Sequence, residues 1–244
     1  MQGPLLPAGE AYSLAQRLTR IFFAPRSSFE AVYRHETWLD WFAPTLLAST
    51  AWILAHFITL PLATDPTSAL ARRQMQNMTA EQWQVRTDML QQYGWLSEPL
   101  VYTFFNLSVT GIVLFVLVRH LFRRQITLRQ GLVVTAYAFM VDLVAAPIWT
   151  ALVLLDIHPE QFTSLALFLG DGAGTFTDKF SASLGLFGAW QTCLIGLGLA
   201  VATNIDPRKT IAAALIVWVL WIAGVTAVQD LVPTQVQQAP PTPN

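Results

Sequence analysis

Apolar positions along this chain gather into five long blocks, at about 41–62, 100–121, 131–155, 181–203 and 211–228, divided by shorter polar stretches bearing Arg, Pro and acidic residues. A helix of about 20 residues crosses the ~30 Å hydrocarbon core of a bilayer. The pattern therefore predicts an all-α fold, an integral membrane bundle of five transmembrane helices with an amphipathic N-terminal helix ahead of it. In that leading region Leu14, Leu18, Ile21 and Phe22 recur at helical spacing while Arg17 and Arg20 take the other face, which suits a helix lying in the membrane interface. Pro25 should stop this helix, and Ser27 with Glu30 three residues on reads as a capping box opening a second short one. The chain divides into an amphipathic cytoplasmic region over 1–40, the membrane domain over 41–228, and an external tail over 229–244 whose prolines read as disordered.

Two polar segments interrupt the apolar pattern at length. Between the first and second blocks, Thr79 and Gln82 are spaced as a capping box and Gly94 stands where a helix would end, which predicts a helix over about 80–93. Between the third and fourth blocks, 162–169 is an apolar run too short to span, suited to the interface or to re-entry. The Gly-Asp-Gly-Ala-Gly run at 170–174 follows no strand and lacks the Lys and Ser or Thr of a phosphate loop, so it reads as a turn.

Composition fits this picture: hydrophobic residues are 54% and charged residues 12%, about half the charge of an average soluble domain. Net charge is −1, and the basic residues sit near membrane boundaries without forming an extended basic face, which excludes nucleic acid as a partner. No charged-then-apolar leader precedes the first block, which should serve as its own uncleaved insertion signal. With five spans and the amino terminus inside, ten Lys and Arg fall on the cytoplasmic flanks and four on the other side. That bias predicts a cytoplasmic amino terminus and an external carboxyl terminus in the cytoplasmic (inner) membrane. Arg17, Arg20 and Arg26 then form a candidate surface for anionic lipid or a partner, each Arg contributing about 1 kcal/mol near such a surface. A topology anchor that only obeys the charge bias is the plainer reading.

Candidate chemistry lies inside the blocks, because an ionised side chain at mid-bilayer costs at least ~2.5 kcal/mol and needs a partner or water. Asp142 stands near the centre of the third block, five residues before Pro147, which should kink the helix. His56 in the first block and Gln191 in the fourth could pair with it, making Asp142, His56 and Gln191 a candidate intramembrane polar site. Asp142 there either binds a proton or glues helices through a hydrogen bond. Gly185, Gly188, Gly196, Gly198 and Ala200 supply small surfaces on the fourth block where another helix could approach closely. The single cysteine, Cys193, reads as a packing residue and allows no intrachain disulfide.

Enzyme signatures are lacking. There is no His-Glu-x-x-His pair and no Gly-x-Ser-x-Gly elbow, and His158 with Glu160 offers two ligands where a metal site needs more. Catalytic, metal and cofactor sites are accordingly expected to be none. Asp142 alone does not make an intramembrane aspartyl protease, which needs two apposed aspartates.

The order of elements carries a resemblance. Arg-Ile-Phe-Phe-Ala-Pro-Arg-Ser-Ser-Phe-Glu-Ala-Val over 20–32 precedes the first block, and Met-Thr-Ala-Glu-Gln over 78–82 lies in the polar loop. Ala-Tyr-Ala over 136–138 with Pro147 follows, then Trp190, Gly196-Leu-Gly198 and Asp206-Pro-Arg-Lys209 before the last block. In this order and spacing the chain resembles the Yip domain family (Ypt/Rab-interacting proteins) of five-helix membrane proteins, in particular its bacterial branch. The resemblance implies a cytoplasmic amino-terminal region and a five-helix bundle. Eukaryotic relatives are associated with Rab-type GTPases, membrane traffic and curvature, but the long cytoplasmic tail of such relatives has no counterpart in region 1–40. Asp142 departs from the apolar residues expected before the proline.

The function expected is that of a non-enzymatic multi-pass membrane protein acting by membrane organisation or by partner or lipid binding. The alternative is a small transporter or channel component using Asp142 as an intramembrane titratable group. The bilayer is the first partner, with a protein partner or a second copy reached through helix packing.

Overall fold

The computed structural model describes residues 12–34, 37–75, 78–157, 159–165 and 176–231. The readings made above for the Gly-rich run at 170–174, for His158 and for the tail beyond 231 lie outside those residues, as does most of the apolar run at 162–169. Among the described residues the fold is helical, with one isolated bridge between Ser164 and Gly185 and no strand. Five helical stretches among the described residues are long and apolar enough to cross a membrane, as the pattern predicts.

Two short helices lead. α1 (Leu14–Arg20) opens on a capping box in which Ser13 accepts from the Gln16 amide and Gln16 reaches back to the Ser13 amide. α2 (Pro25–Arg34) starts on Pro25 itself, whose fixed φ suits a first helical position where no N–H is needed. The Ser27–Glu30 capping box is therefore not formed. The Ser27 hydroxyl donates to the Ala24 carbonyl at 2.9 Å, and Glu30 pairs with Arg26 at 3.1 Å.

The spanning helices correct several boundaries. α3 (Leu39–Thr64) begins two residues earlier than its apolar block. In the loop that follows, α4 (Ala69–Met75) and α5 (Ala80–Met89) form, the latter with the predicted Thr79–Gln82 box. Gly94 does not end the helix: a π-helical turn over Leu90–Gly94 runs directly into α6 (Trp95–Leu121). The wider turn re-registers the hydrogen-bond ladder just ahead of Pro99, which has no N–H to give it. The third block is two helices, α7 (Leu128–Ala138) and α8 (Asp142–Leu154), joined by a 3-10 turn at Phe139–Val141. The irregularity thus sits ahead of Asp142, upstream of Pro147. After α9 (Pro159–Thr163) comes α10 (Phe176–Ser183), a separate short helix where the fourth block was expected to begin. The span proper is α11 (Leu186–Thr203), and α12 (Pro207–Leu231) closes the series.

Burial grades the spans. Of its most apolar window, 67% is enclosed in the third span and 6% in the last, so α7–α8 is an interior stretch and α12 is largely uncovered by the rest of the chain. Contacts group the chain into two compact units, each taking part of every long helix: 1–48 with 104–141 and 191–215, and 49–103 with 142–190 and 216–244. In the first unit the core is Ile21, Phe29 and Val32 from the leading helices with Val133, Val134 and Tyr137 from α7, all fully buried. Its helices touch through glycine. A Cβ on Gly196 would stand 2.5 Å from the Ile211 Cα, one on Gly131 would meet the Gly111 carbonyl at 2.7 Å, and one on Gly198 would meet the Phe29 ring at 2.9 Å. Close backbone approach is what replaces the hydrophobic driving force between helices in lipid.

Candidate functional site

The first unit contains a buried charge. Asp40 lies in the first turn of α3, three residues after Thr37, where an acidic side chain reaches back to the free amides of the helix start. Its Oδ2 accepts from the Thr37 N–H at 2.8 Å and from the Thr37 hydroxyl at 2.9 Å. Its Oδ1 accepts from the Tyr137 hydroxyl at 2.9 Å and faces Arg17 Nη1 at 3.2 Å. Asp40 is 0% exposed and Arg17 6%. A carboxylate withdrawn this far from water persists only when its lone pairs are taken up, and here four donor contacts do so. The same clasp ties α1, α3 and α7 together. Beside it the Ser28 hydroxyl donates to the Arg17 carbonyl at 2.6 Å, linking α2 to α1, and the Phe29 ring lies 6.0 Å from that of Tyr137.

The second unit contains a cleft of about 90 Å³ instead. Its lining comes from the last turns of α3 (His56, Thr59), from Arg86 of α5, from Trp95 and Glu98 at the start of α6 and from Trp149 of α8. The His56 ring stacks on Trp149 at 5.9 Å and 14°, and its Nδ1 lies 2.9 Å from the Trp52 carbonyl oxygen. A carbonyl only accepts, so Nδ1 donates in this bond. Arg86 and Glu98 face each other at 3.9 Å, each about one third exposed. Among the described residues no group of three His, Cys, Asp or Glu is placed to hold a metal.

A family model described as the Yip1 domain matches residues 19–228, most of the chain. The chain belongs to the Yip1 domain family. No curated protein and no solved structure matches it.

Within the Yip1 domain the residues singled out from sequence fall in different places. His56 joins the cleft. Asp142 is half-buried at the head of α8 and Gln191 half-buried in α11, and neither lines the cleft. Of the three arginines, Arg17 faces inward to Asp40, so the amphipathic reading that put it on the outer face is corrected. The guanidinium of Arg20 lies 4.3 Å over the Tyr12 ring, and Arg26 stays at the surface beside Glu30. Arg17 turns inward because a buried acid in the first turn of α3 needs a cation, a demand that α1's own periodicity does not display. The residues missed are Asp40, Tyr137, Arg86, Glu98 and Trp149. Asp40 had a readable signal, an acid three residues after Thr37 at the start of an apolar block. Tyr137 had one too, as the centre of the Ala-Tyr-Ala run. The cleft residues had none, since they come from separate helices.

Proposed function

We propose that this Yip1-domain protein is non-enzymatic and works by holding its amino-terminal helices against the membrane domain, where they engage anionic lipid or a partner on the cytoplasmic face of the inner membrane. The Asp40 clasp carries this reading. A buried ion pair with four donor contacts is a costly way to attach a helix that serves only as a charge anchor, and it leaves an ordered outer surface. Phe23, at the turn between α1 and α2, is 89% exposed, with Arg26 exposed next to it. An aromatic ring flanked by arginine suits a headgroup layer.

Hydrogen exchange of the full-length protein in nanodiscs tests this. Amides around Phe23 are expected to exchange more slowly in anionic than in neutral discs, and Arg26→Ala together with Phe23→Ala should remove the difference. Equal exchange in both lipids would defeat the proposal.

The break at Phe139–Val141 favours a second reading, a small transporter in which Asp142 titrates, because helix interruptions at membrane depth recur where an ion or substrate is handled. Its test is flux into dye-loaded proteoliposomes, which Asp142→Asn should abolish; solute movement unaffected by that change removes the role assigned to Asp142.

A further inference from the structure

Where α8 ends and α11 begins, the second unit carries a run of uncovered apolar side chains. Leu154, Leu155 and Ile157 lie at the end of α8, Phe162 in α9, Leu165 just after it, and Leu186 at the head of α11; all six are exposed, Leu155 to 69% and Leu186 to 66%. Phe176, which opens α10, is exposed as well and stacks on Phe180. α9 packs against α8 and α10, and the bridge between Ser164 and Gly185 fastens the residue after α9 to the one before Leu186. Phe162 and Leu165 are therefore held beside the ends of two spans, where acyl chains give way to headgroups. Large apolar side chains gathered in one exposed patch mark a surface that meets something other than water.

The backbone of this region makes its bonds internally. α8 closes in a Schellman turn, in which the Ile157 N–H donates to the Leu152 carbonyl at 2.9 Å and the Asp156 N–H to that of Val153 at 3.1 Å, with Asp156 at φ 58°. The Leu165 N–H donates to the Leu184 carbonyl at 3.3 Å, and the Thr163 hydroxyl to that of Pro159 at 2.8 Å. A connector that leaves water needs such partners within the protein. Depth is limited by charge: Asp156 and Lys179 are exposed among the apolar groups, and an ionised side chain is too costly at the bilayer centre for the segment to re-enter that far. The patch is also continuous with the spans, since Leu154 is the last residue of α8 and Leu186 the first of α11. That continuity makes the acyl layer, rather than another protein, the surface it fits. We propose that α9 and the flanking ends of α8 and α11 form a half-inserted anchor in the leaflet where α8 ends, with Leu155, Phe162 and Leu165 taking up acyl chains just below the headgroups. This anchor is independent of the Phe23–Arg26 surface and of Asp142, so either can fail without the other.

Photolabelling of the full-length chain in phosphatidylcholine nanodiscs tests it. Lipid carrying a diazirine near the carbonyl end of its acyl chain should label the peptide that holds Phe162 and Leu165, and lipid with the diazirine at the chain terminus should label it far less. Equal labelling by the two would mean deep re-entry, and background labelling by both would mean that no lipid is there; each overturns the proposal. Nitroxides at Phe162→Cys and Leu165→Cys in a Cys193→Ser chain give a second reading. They should collide more with oxygen than with a water-soluble nickel chelate, as a nitroxide at Leu220→Cys on the uncovered α12 should. A reversed ratio at 162 and 165 would put α9 in water, and low access to both reagents would mean that a second copy or a partner protein covers it; either result also overturns the anchor. The photolabelling uses the unsubstituted chain, so a variant that fails to fold leaves it decisive.

Discussion

The two units of this protein handle polarity in opposite ways. The first withdraws an acid from water and satisfies it internally, with Asp40, Arg17, Tyr137 and Thr37 closing on one another among glycine-mediated helix contacts. The second keeps its charged pair 3.9 Å apart and part-exposed beside aromatic rings and a cleft. The difference is one of enclosure: a satisfied buried network rigidifies what it joins, whereas a part-exposed ion pair is screened by solvent and fixes little.

Substitutions can break this comparison. The largest effect should come from Asp40→Ala, which strands the Arg17 charge and the Tyr137 hydroxyl in the interior and is expected to cost about 3–5 kcal/mol. Unfolding in detergent, followed by labelling of the half-buried Cys193 with a fluorescent maleimide, would report it. A wild-type midpoint would show that the clasp is not what holds α1 down. Tyr137→Phe removes one hydroxyl from the carboxylate and should cost about 1.5–3 kcal/mol by the same assay. Gly196→Ala forces apart α11 and α12 where a Cβ meets the Ile211 backbone at 2.5 Å, and overpacking of this kind costs about 1–3 kcal/mol. Gly188→Ala in the second unit should cost clearly less, because the atom met there belongs to the Trp218 ring at 3.0 Å, which can turn away. Equal losses at the two glycines would erase the contrast. Smallest of all, Glu98→Gln should change stability by less than about 1 kcal/mol, since a part-exposed pair at this distance adds little. A larger loss would make the Arg86–Glu98 pair structural and the cleft a fixture of the fold.

Sequence made the fold legible to the extent that one-dimensional patterns decide it. Blocks of apolar residues long enough for a bilayer announce the spans, and Thr79 with Gln82 announces the start of α5, because the capping bonds are local. What the pattern concealed depends on energy shared between elements. Gly94 looked like a terminator, yet a π-helical turn carries the helix past it into α6. The third block looked continuous, but a 3-10 turn divides it where no Gly or Pro marks the place. Arg17 showed the periodicity of an exposed position while its partner lay in another helix. The cleft was hidden most completely, because His56, Arg86, Glu98 and Trp149 meet only after four helices have packed.

One consequence of helix length concerns the bilayer itself. α11 has 18 residues, ~27 Å of rise, and α12 has 25, ~37 Å. Against a hydrocarbon layer of ~30 Å, α11 has no length to spend on tilt, whereas α12 fits by carrying its charged and polar ends into the headgroups. Arg208 and Lys209 take the start of α12 out of the apolar layer and leave the block at 211–228, as long as the 18 residues of α11, so a membrane thickened by sterols or longer acyl chains strains both helices alike.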